Sequence, residues 1–235
     1  MLKDFEEEFH RIYNLYKEKD SFLFLKAADG ELMAINNVLL DNNEFQNNIN
    51  VPQERRDELL KSLQFKHPNY YLGVICPCCC NYDGRNTQMI ELSGQDLDHL
   101  TYANIFVNSN YKLYKEIFIP SFSEFDVHLV CHENPKIENL PFKPEKVWKI
   151  QRNAWVNNYD LIKEIQDLDL KNKLFLFAAG PFGNILGYNL FQSCPRNRMV
   201  DIGSTLNSFL NSGGFARDYH LDQNSGFGAR KCVWN

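Results

Sequence analysis

The sequence lacks any apolar run long enough to cross a membrane, since none reaches the roughly 18 residues that suggest a spanning helix. It also lacks an excess of positive charge, because 25 Lys and Arg stand against 30 Asp and Glu and the net charge is −5. Domains that bind DNA or RNA usually carry a basic field, so nucleic acid is not an expected partner. A membrane span is not expected either, and nothing in the sequence indicates an oligomeric state.

A secreted disulfide framework is absent too. The seven cysteines are an odd number, and four of them crowd into Cys76–Cys80, whereas Cys131, Cys194 and Cys232 are scattered. Tetrahedral zinc sites generally take two ligand pairs from separated segments, and no second Cys-x-x-Cys or His pair is present. The spacing therefore favours small buried side chains over a zinc site. The acidic N-terminus is unlike a signal peptide, and we expect a cytoplasmic protein.

What the sequence does contain is a regular alternation of short apolar runs with helical patterns. Hydrophobic residues make up 44% of the chain, which is ample for a packed core. The clearest unit starts at Leu174–Phe177, continues with a helical pattern after Gly180 and ends at Met199–Gly203. This order predicts a βαβ unit, and the whole pattern predicts a single α/β domain over residues 1–235. We expect a Rossmann-like domain with a mostly parallel sheet flanked by helices.

The turn of this βαβ unit carries Gly180 and Pro181, followed by Gly183. The N–H groups at a helix start suit phosphate. Pro181 suits the first helical position because an N–H at that position would have no partner within the helix. Gly183 would allow either ligand approach or close packing of the helix on the sheet. No complete Gly-x-Gly-x-x-Gly or Walker pattern is present. The turn indicates a phosphate or nucleotide site, with an ordinary strand–helix turn as the alternative.

An acidic pair, Asp29 and Glu31, follows an apolar run near the N-terminus. Two hard oxygen ligands on either side of a glycine can hold Mg²⁺ or Mn²⁺ beside a diphosphate. The alternative is a simple helix start, in which the helix dipole favours Glu31 in the first turn.

Other polar side chains follow predicted strands or lie in the C-terminal tail. Asp201 can bind a sugar, ribose or acceptor hydroxyl, or it can cap the next helix. His132 and Glu133 can each act as a general base, or they can simply begin a polar loop. Asn108 can donate and accept hydrogen bonds to a base or sugar. Arg217 can close over a diphosphate, or it can belong to a solvated tail.

Three segments, in the same order along the chain, resemble the glycosyltransferases of the GT-D fold. Phe22–Ile35 is similar to the family's strand with its Asp-x-Glu motif, Gly180–Leu190 to its Gly-Pro helix start, and Val200–Gly203 to its Asp-Ile-Gly strand end. Lys26 stands where the family tends to have Arg, and Ser204 stands where better-known members have His.

The resemblance implies a Rossmann-like domain that binds a nucleotide-sugar donor, often UDP-linked, on a face that includes Lys26. It also implies Mn²⁺ or Mg²⁺ held by Asp29 and Glu31. The leading hypothesis is a metal-dependent glycosyltransferase of the hexosyltransferase type with a glycan or glycoprotein acceptor. In this hypothesis Asp201, Glu133 or His132 activates the acceptor hydroxyl.

Two alternatives remain at this point. One is a methyltransferase that uses adenosylmethionine, since a Gly-rich turn and a later Asp could form its cofactor site. Only 55 residues follow Gly180, however, which is few for the remaining strands of such a sheet. The other is a non-catalytic binding protein built on a degenerate transferase fold.

Overall fold

The computed structural model describes residues 3–41, 46–47, 51–80, 84–210, 217–221, 224–226 and 228–234. Within these residues the strands are β1 (Phe22–Ala27), β2 (Leu40–Asp41), β3 (Gln46–Asn47), β4 (Tyr70–Val74), β5 (Leu100–Tyr102), β6 (Asp126–His132), β7 (Lys146–Ile150), β8 (Lys173–Phe177) and β9 (Arg198–Asp201).

The α-helices of the described residues are α1 (Phe5–Glu18), α2 (Asp29–Ile35), α3 (Gln53–Gln64), α4 (Pro77–Cys80), α5 (Arg85–Ser93), α6 (Tyr111–Leu113), α7 (Ile119–Ser121), α8 (Ala154–Asn157), α9 (Leu161–Gln166), α10 (Pro181–Ser193), α11 (Asn207–Leu210) and α12 (Asp218–Leu221). A π-helical turn and four 3₁₀ turns complete these helical elements: Tyr114–Phe118 for the first, and Leu97–His99, Asn108–Asn110, Phe122–Glu124 and Ile137–Asn139 for the others.

Seven of the strands form one sheet in the order β5-β4-β1-β9-β8-β6-β7, and each neighbouring pair is parallel. The strands β2 and β3 form a separate antiparallel pair. The α/β fold with a parallel sheet predicted from the sequence is confirmed. Since all seven strands run the same way, their carboxyl ends meet at one edge of the sheet, where open α/β sheets bind ligands.

The centre of the sheet is covered by helices on both faces. Residues 22–25 of β1 are fully buried, although successive side chains point to opposite faces. Phe24 contacts Phe106 on one face with ring centroids 5.3 Å apart. On the other face Leu25 lies against Gly187 of α10. This burial on both faces explains why the strands read as continuous apolar runs in the sequence.

The βαβ unit predicted around Gly180 is present as β8, α10 and β9. Gly180 has φ +53° and ψ −144°, a conformation that L-residues with a side chain rarely adopt. Pro181 then occupies the first position of α10. The glycine therefore makes the sharp turn from strand to helix that leaves the helix start at the carboxyl edge of the sheet.

One predicted loop is a helix in the structure. The polar composition of residues 84–94, with a glycine at each end, predicts a loop, but residues 85–93 form α5. Gly84 and Gly94 flank it with φ +76° and +56°, and the N–H of Gly94 donates to the carbonyl of Ile90. The two glycines are thus the ends of a helix rather than signs of a loop. None of the described helices is long and apolar enough to cross a membrane.

Candidate active site

A cleft of about 760 Å³ opens at the carboxyl edge of the sheet. Its walls come from the segments that follow β1, β5, β6, β7, β8 and β9. The cleft therefore crosses almost the whole sheet, including the β1–β9 boundary. At that boundary the chain order changes direction, which is the usual ligand position in such folds.

The β1 side of the cleft holds Lys26, Asp29 and Glu31. Asp29 is exposed and Lys26 is half-buried, whereas Glu31 is buried. The N–H of Ala28 donates to Oε2 of Glu31 at 2.9 Å, so the carboxyl group closes the first turn of α2. The helix start considered from the sequence is thus real, and both carboxyl groups also line the cleft.

The carboxyl group of Glu31 lies in an environment that disfavours its charge. Burial raises its pKa to about 7, and the nearby negative charges of Asp201 and Asp29 act in the same direction. A cation next to this carboxyl group would offset both effects.

Asp201 is the last residue of β9 and is 5% exposed. Its Oδ1 accepts the N–H of Gly203 at 2.8 Å and lies 3.9 Å from Nζ of Lys26. The next residue of the motif, Ser204, has its Oγ 2.6 Å from the hydroxyl of Tyr219. Tyr219 also lines the cleft, so this C-terminal tyrosine borders the position where the family's better-known members have His.

The β8 side contributes Gly180 and Pro181 to the cleft, but not Gly183. The N–H of Gly183 donates to the carbonyl of Gly180 at 2.8 Å. A Cβ at Gly183 would lie 3.3 Å from Cβ of Phe177, so its lack of a side chain serves close packing of α10 on β8. Of the two roles open for Gly183, the structure gives the packing role and no place on the cleft wall.

His132 and Glu133 line the cleft at the end of β6. Nδ1 of His132 accepts the N–H of Asn134 at 3.3 Å. With Nδ1 occupied as an acceptor, the neutral ring carries its proton on Nε2, and that nitrogen is then a donor. Glu133 is exposed. Arg217, the last of the predicted residues on this cleft, is exposed on its C-terminal wall.

Asn108 is the predicted site residue that the structure places elsewhere. It is 3% exposed and does not line the cleft. Its Nδ2 donates to Sγ of Cys232 at 3.2 Å and contacts Sγ of Cys79 at 3.7 Å. Asn104, which lies in the turn directly after β5, lines the cleft instead. The strand is shorter than its apolar run suggested, so the residue at the sheet edge comes four positions earlier.

No family model matches the sequence, and no curated protein matches it. Two solved structures do match. One is described as showing that the highly conserved domain of unknown function 1792 has a distinct glycosyltransferase fold, and the other is a selenomethionine-substituted structure of this domain. Each matches with a TM-score of 0.53 and 15% sequence identity. Each alignment covers 84% of this chain and 77% of the matched chain.

The protein has a GT-D-like glycosyltransferase fold. The resemblance noted in three short segments is therefore confirmed at the level of the fold. The matched structures give no support to a methyltransferase.

The two carboxyl groups on the β1 side of the cleft are of the chemical type that binds a hard divalent cation. Asp29 and Glu31 offer carboxylate oxygens, the ligands that Mg²⁺ and Mn²⁺ prefer. Among the described residues, however, the acidic side chains of the cleft do not form a group of three converging ligand atoms. These two carboxyl groups alone would therefore leave most coordination positions of a bound cation to ligands from outside the described residues.

Two features of the structure were not found from the sequence, one on the cleft wall and one away from it. Gln151 and Arg152 follow β7 and line the cleft, as Asn104 does after β5. Each lies within two residues of the end of a strand, so the rule that carboxyl ends share an edge could have found them. The second miss is Cys232, which the fold brings to Cys76, Cys78 and Cys79. The side chain of Cys80 lies outside the described residues.

Proposed function

We propose that the chain is a metal-dependent glycosyltransferase that transfers a sugar from a nucleotide-sugar donor, UDP-linked, to a hydroxyl of a glycan or glycoprotein acceptor. The observation that carries this proposal is the convergence of three distant segments on one cleft. Asp29 and Glu31, the turn at Gly180, and Asp201 are separated by up to about 170 residues, yet all four line it. These are the segments in which the sequence resembles the GT-D family.

The donor half of the cleft has groups suited to a diphosphate. Pro181 begins α10 at the cleft wall, so the positive end of the helix dipole points towards the ligand. Arg217, which also lines the cleft, can make bidentate contacts to phosphate oxygens. Asp29 and Glu31 would hold Mn²⁺ or Mg²⁺, which when bound neutralises the charge that develops on the departing diphosphate.

For the acceptor half we propose Glu133 as the general base. Asp201 is 5% exposed, and its Oδ1 accepts a backbone N–H and lies near Lys26, so it is less accessible to an acceptor hydroxyl than an exposed carboxylate. In the tautomer described above, the Nε2 of His132 is a donor and is buried, so it is poorly placed to take a proton from an acceptor hydroxyl. Glu133 is an exposed carboxylate at the cleft, where an acceptor hydroxyl would arrive.

A binding protein on the same fold is the second candidate function, favoured by Ser204 in place of the family's His. The cytoplasmic location expected from the sequence stays a prediction.

The deciding experiment is thermal unfolding with a panel of nucleotide sugars, with and without Mn²⁺. Binding to the native state at 100 times Kd adds roughly 2.7 kcal/mol to the stability. For a chain of this size we expect Tm to rise by about 5–10 °C. The rise should require Mn²⁺ and disappear in Glu31→Gln, which keeps the shape of the side chain but not its charge.

Glu164→Gln is the matched control, because Glu164 is exposed on α9 and does not line the cleft. Its Tm should rise with the nucleotide sugar and Mn²⁺ by as much as that of the wild type. Glu133→Gln should retain the shift but lose 10²-fold or more of the turnover. If no donor raises Tm in the wild type, or if the shift is indifferent to Mn²⁺ and to Glu31→Gln, the proposed metal-dependent transferase is wrong.

A further inference from the structure

Four cysteine sulfurs meet at a place that is separate from the residues lining the cleft. The Sγ atoms of Cys76, Cys78, Cys79 and Cys232 all lie within 4.8 Å of one another. Four of the six separations are 3.5 Å (Cys76–Cys78), 3.6 Å (Cys76–Cys232), 3.8 Å (Cys79–Cys232) and 3.9 Å (Cys78–Cys79). All four are free cysteines, and these separations far exceed the S–S bond length of roughly 2.05 Å.

These separations match a tetrahedral metal site. Zinc binds thiolate sulfur at roughly 2.3 Å, which puts the ligands of a regular tetrahedron about 3.8 Å apart. An iron–sulfur cluster holds its cysteine sulfurs much farther apart, because several metal ions and sulfides stand between them. The spacing therefore suits a single ion with soft sulfur ligands, for which zinc is the common choice.

The fold brings the four sulfurs together from two parts of the chain. Cys76 follows β4, and Cys78 and Cys79 lie in the short helix α4, where the N–H of Cys79 donates to the carbonyl of Cys76 at 3.4 Å. This tight turn brings three sulfurs together although two are adjacent in sequence. Cys232 comes from the C-terminal segment, 153 residues after Cys79. Three ligands thus come from one turn and the fourth from a distant segment.

Each sulfur also receives an N–H donor. Nδ2 of Asn108 reaches Cys232 and Cys79, as given above. Nδ2 of Asn104 lies 3.8 Å from Cys76 Sγ, and Nη1 of Arg230 lies 3.8 Å from Cys79 Sγ. The N–H of Val233 donates to Cys78 Sγ at 3.4 Å. Donors around every sulfur stabilise thiolates and orient them, as the outer shell of a metal site does.

We propose that Cys76, Cys78, Cys79 and Cys232 bind one structural zinc ion. On binding, the thiols lose their protons to solvent and four Zn–S bonds form, with no oxidation or reduction. The site ties the C-terminal segment to the end of β4. Asn104 contacts the Cys76 sulfur and also lines the cleft, so the ion would fix one wall of the candidate active site. This inference does not depend on the transferase activity.

The first test is the metal content of the full chain, purified without an affinity tag that binds metal and kept reduced. Elemental analysis should find one zinc per chain. Cys232→Ser should lower this at least tenfold. Cys131→Ser and Cys194→Ser are the matched controls, since both residues are buried free cysteines outside the cluster, and both variants should keep one zinc.

Because Cys232 is buried, its variant can fail to fold, and Cys78→Ser provides a second variant at an exposed residue. It should show the same loss of zinc. Replacement by Co²⁺ should give the thiolate-to-cobalt charge-transfer band and intense visible bands of tetrahedral cobalt, both absent in the two cluster variants. A chelator should lower Tm of the wild type but not of Cys78→Ser.

Three results would overturn the proposal. One is less than a tenth of a zinc per chain together with no charge-transfer band on addition of Co²⁺. Another is stoichiometric iron with acid-labile sulfide. The third is the loss of two alkylatable thiols from the cluster when the freshly isolated protein is denatured with a chelator, which would indicate a disulfide instead.

Discussion

At the scale of single residues, Lys26, Asp201 and Gly203 form one unit at the cleft. The charged groups of Lys26 and Asp201 are both largely buried, with side chains 16% and 7% exposed. Gly203 has φ +51°, and a Cβ there would overlap Nζ of Lys26. The glycine after Asp-Ile therefore leaves room for the lysine that faces the aspartate. Lys26 and the Asp-Ile-Gly end of β9 belong to two separate segments of the GT-D resemblance, and the contact between them gives a physical reason why both occur together.

His128 is a buried titratable residue whose pKa gives a testable dependence of stability on pH. It is 4% exposed in β6, and burial lowers its pKa, with the positive charge of Lys173 adding to this. Glu145, 3.5 Å from Nε2, and Asp126 act in the opposite direction. Since the folded pKa lies below the unfolded value of roughly 6.5, the unfolded state binds more protons between the two values.

The free energy of unfolding should therefore fall as pH decreases through about 6.5 towards the folded pKa of His128, by at most about 1.4 kcal/mol per pH unit from this group. His128→Asn should remove that contribution, while its amide oxygen can still accept the Nε1–H of Trp148 that donates to His128 Nδ1 at 3.4 Å. Urea unfolding of both proteins between pH 7.5 and about 5 measures the difference. If the free energies of unfolding of the two proteins depend on pH in the same way, His128 is not the source of this loss of stability.

The residues that could be predicted from the sequence are those whose position follows from their own strand. Asp29 and Asp201 come directly after or at the end of clear apolar runs, so their place at the carboxyl edge required no knowledge of distant contacts. The structure places Asn108 away from the cleft because β5 ends after Tyr102, before the end of the apolar run in the sequence. The position of Cys232 beside Cys76 could not be predicted for a different reason, since no local pattern connects two residues so far apart in the sequence.

At the scale of elements, α10 lies close to the sheet because two of its residues have no side chain. A Cβ at Gly187 would lie 2.9 Å from Cδ2 of Leu25 and 3.1 Å from Cε2 of Phe177. A Cβ at Gly183 would lie 3.3 Å from Cβ of Phe177, a contact that a small shift relieves. The helix start at the cleft depends on this approach.

We predict different effects for Gly187→Ala and Gly183→Ala. Both gain roughly 1 kcal/mol of helix propensity. At Gly187 the added methyl overpacks a fully buried interface, at a cost of typically 1–3 kcal/mol, so the variant should be less stable by about 1 kcal/mol. Gly183→Ala should lie within about 0.5 kcal/mol of the wild type. Urea midpoints at unchanged m-value measure both, and equal stability of the two variants would show that α10 can move freely on the sheet.

Elements with a clear apolar pattern in the sequence could be predicted. A helix such as α5, which has few apolar residues and a glycine at each end, could not. The βαβ unit follows from an apolar run, a Gly-Pro turn and a second run, all within 30 residues. The helix α5 has few apolar residues, and the two glycines that cap it are also typical of loops. Its buried contacts, such as the amide of Asn86 donating to the carbonyl of Ile75, appear only in the folded chain.

At the scale of the whole molecule, the two ends of the described chain meet beside β5. Nζ of Lys231 lies 2.7 Å from Oδ2 of Asp4. Trp234 packs edge-on against Tyr102, with ring centroids 5.2 Å apart, and the ammonium group of Lys3 lies 5.4 Å from the Trp234 ring. The hydroxyl of Tyr102 donates to the carbonyl of Lys3. No periodicity relates residues so far apart, so this closure could not be predicted from the sequence.

Trp234 should therefore contribute to the stability of the whole fold, although it lies in a segment without regular structure. It is 4% exposed, and removal of a buried Trp side chain typically costs 3–5 kcal/mol. We expect Trp234→Ala to lose about 3 kcal/mol, and Trp234→Phe to lose less because it keeps an aromatic ring against Tyr102. Urea unfolding with saturating zinc measures this, since the variants retain Cys232.

Val233→Ala is the matched control for the same segment, because Val233 is 48% exposed and its backbone N–H is unaffected by the change. Its free energy of unfolding should stay within about 0.5 kcal/mol of the wild type, as is usual for surface substitutions. A similar loss in Val233→Ala and Trp234→Ala would mean that the segment as a whole is sensitive. No loss in either variant would mean that the C-terminal segment unfolds separately from the sheet, and the tie between the two ends of the chain would not stabilise the molecule.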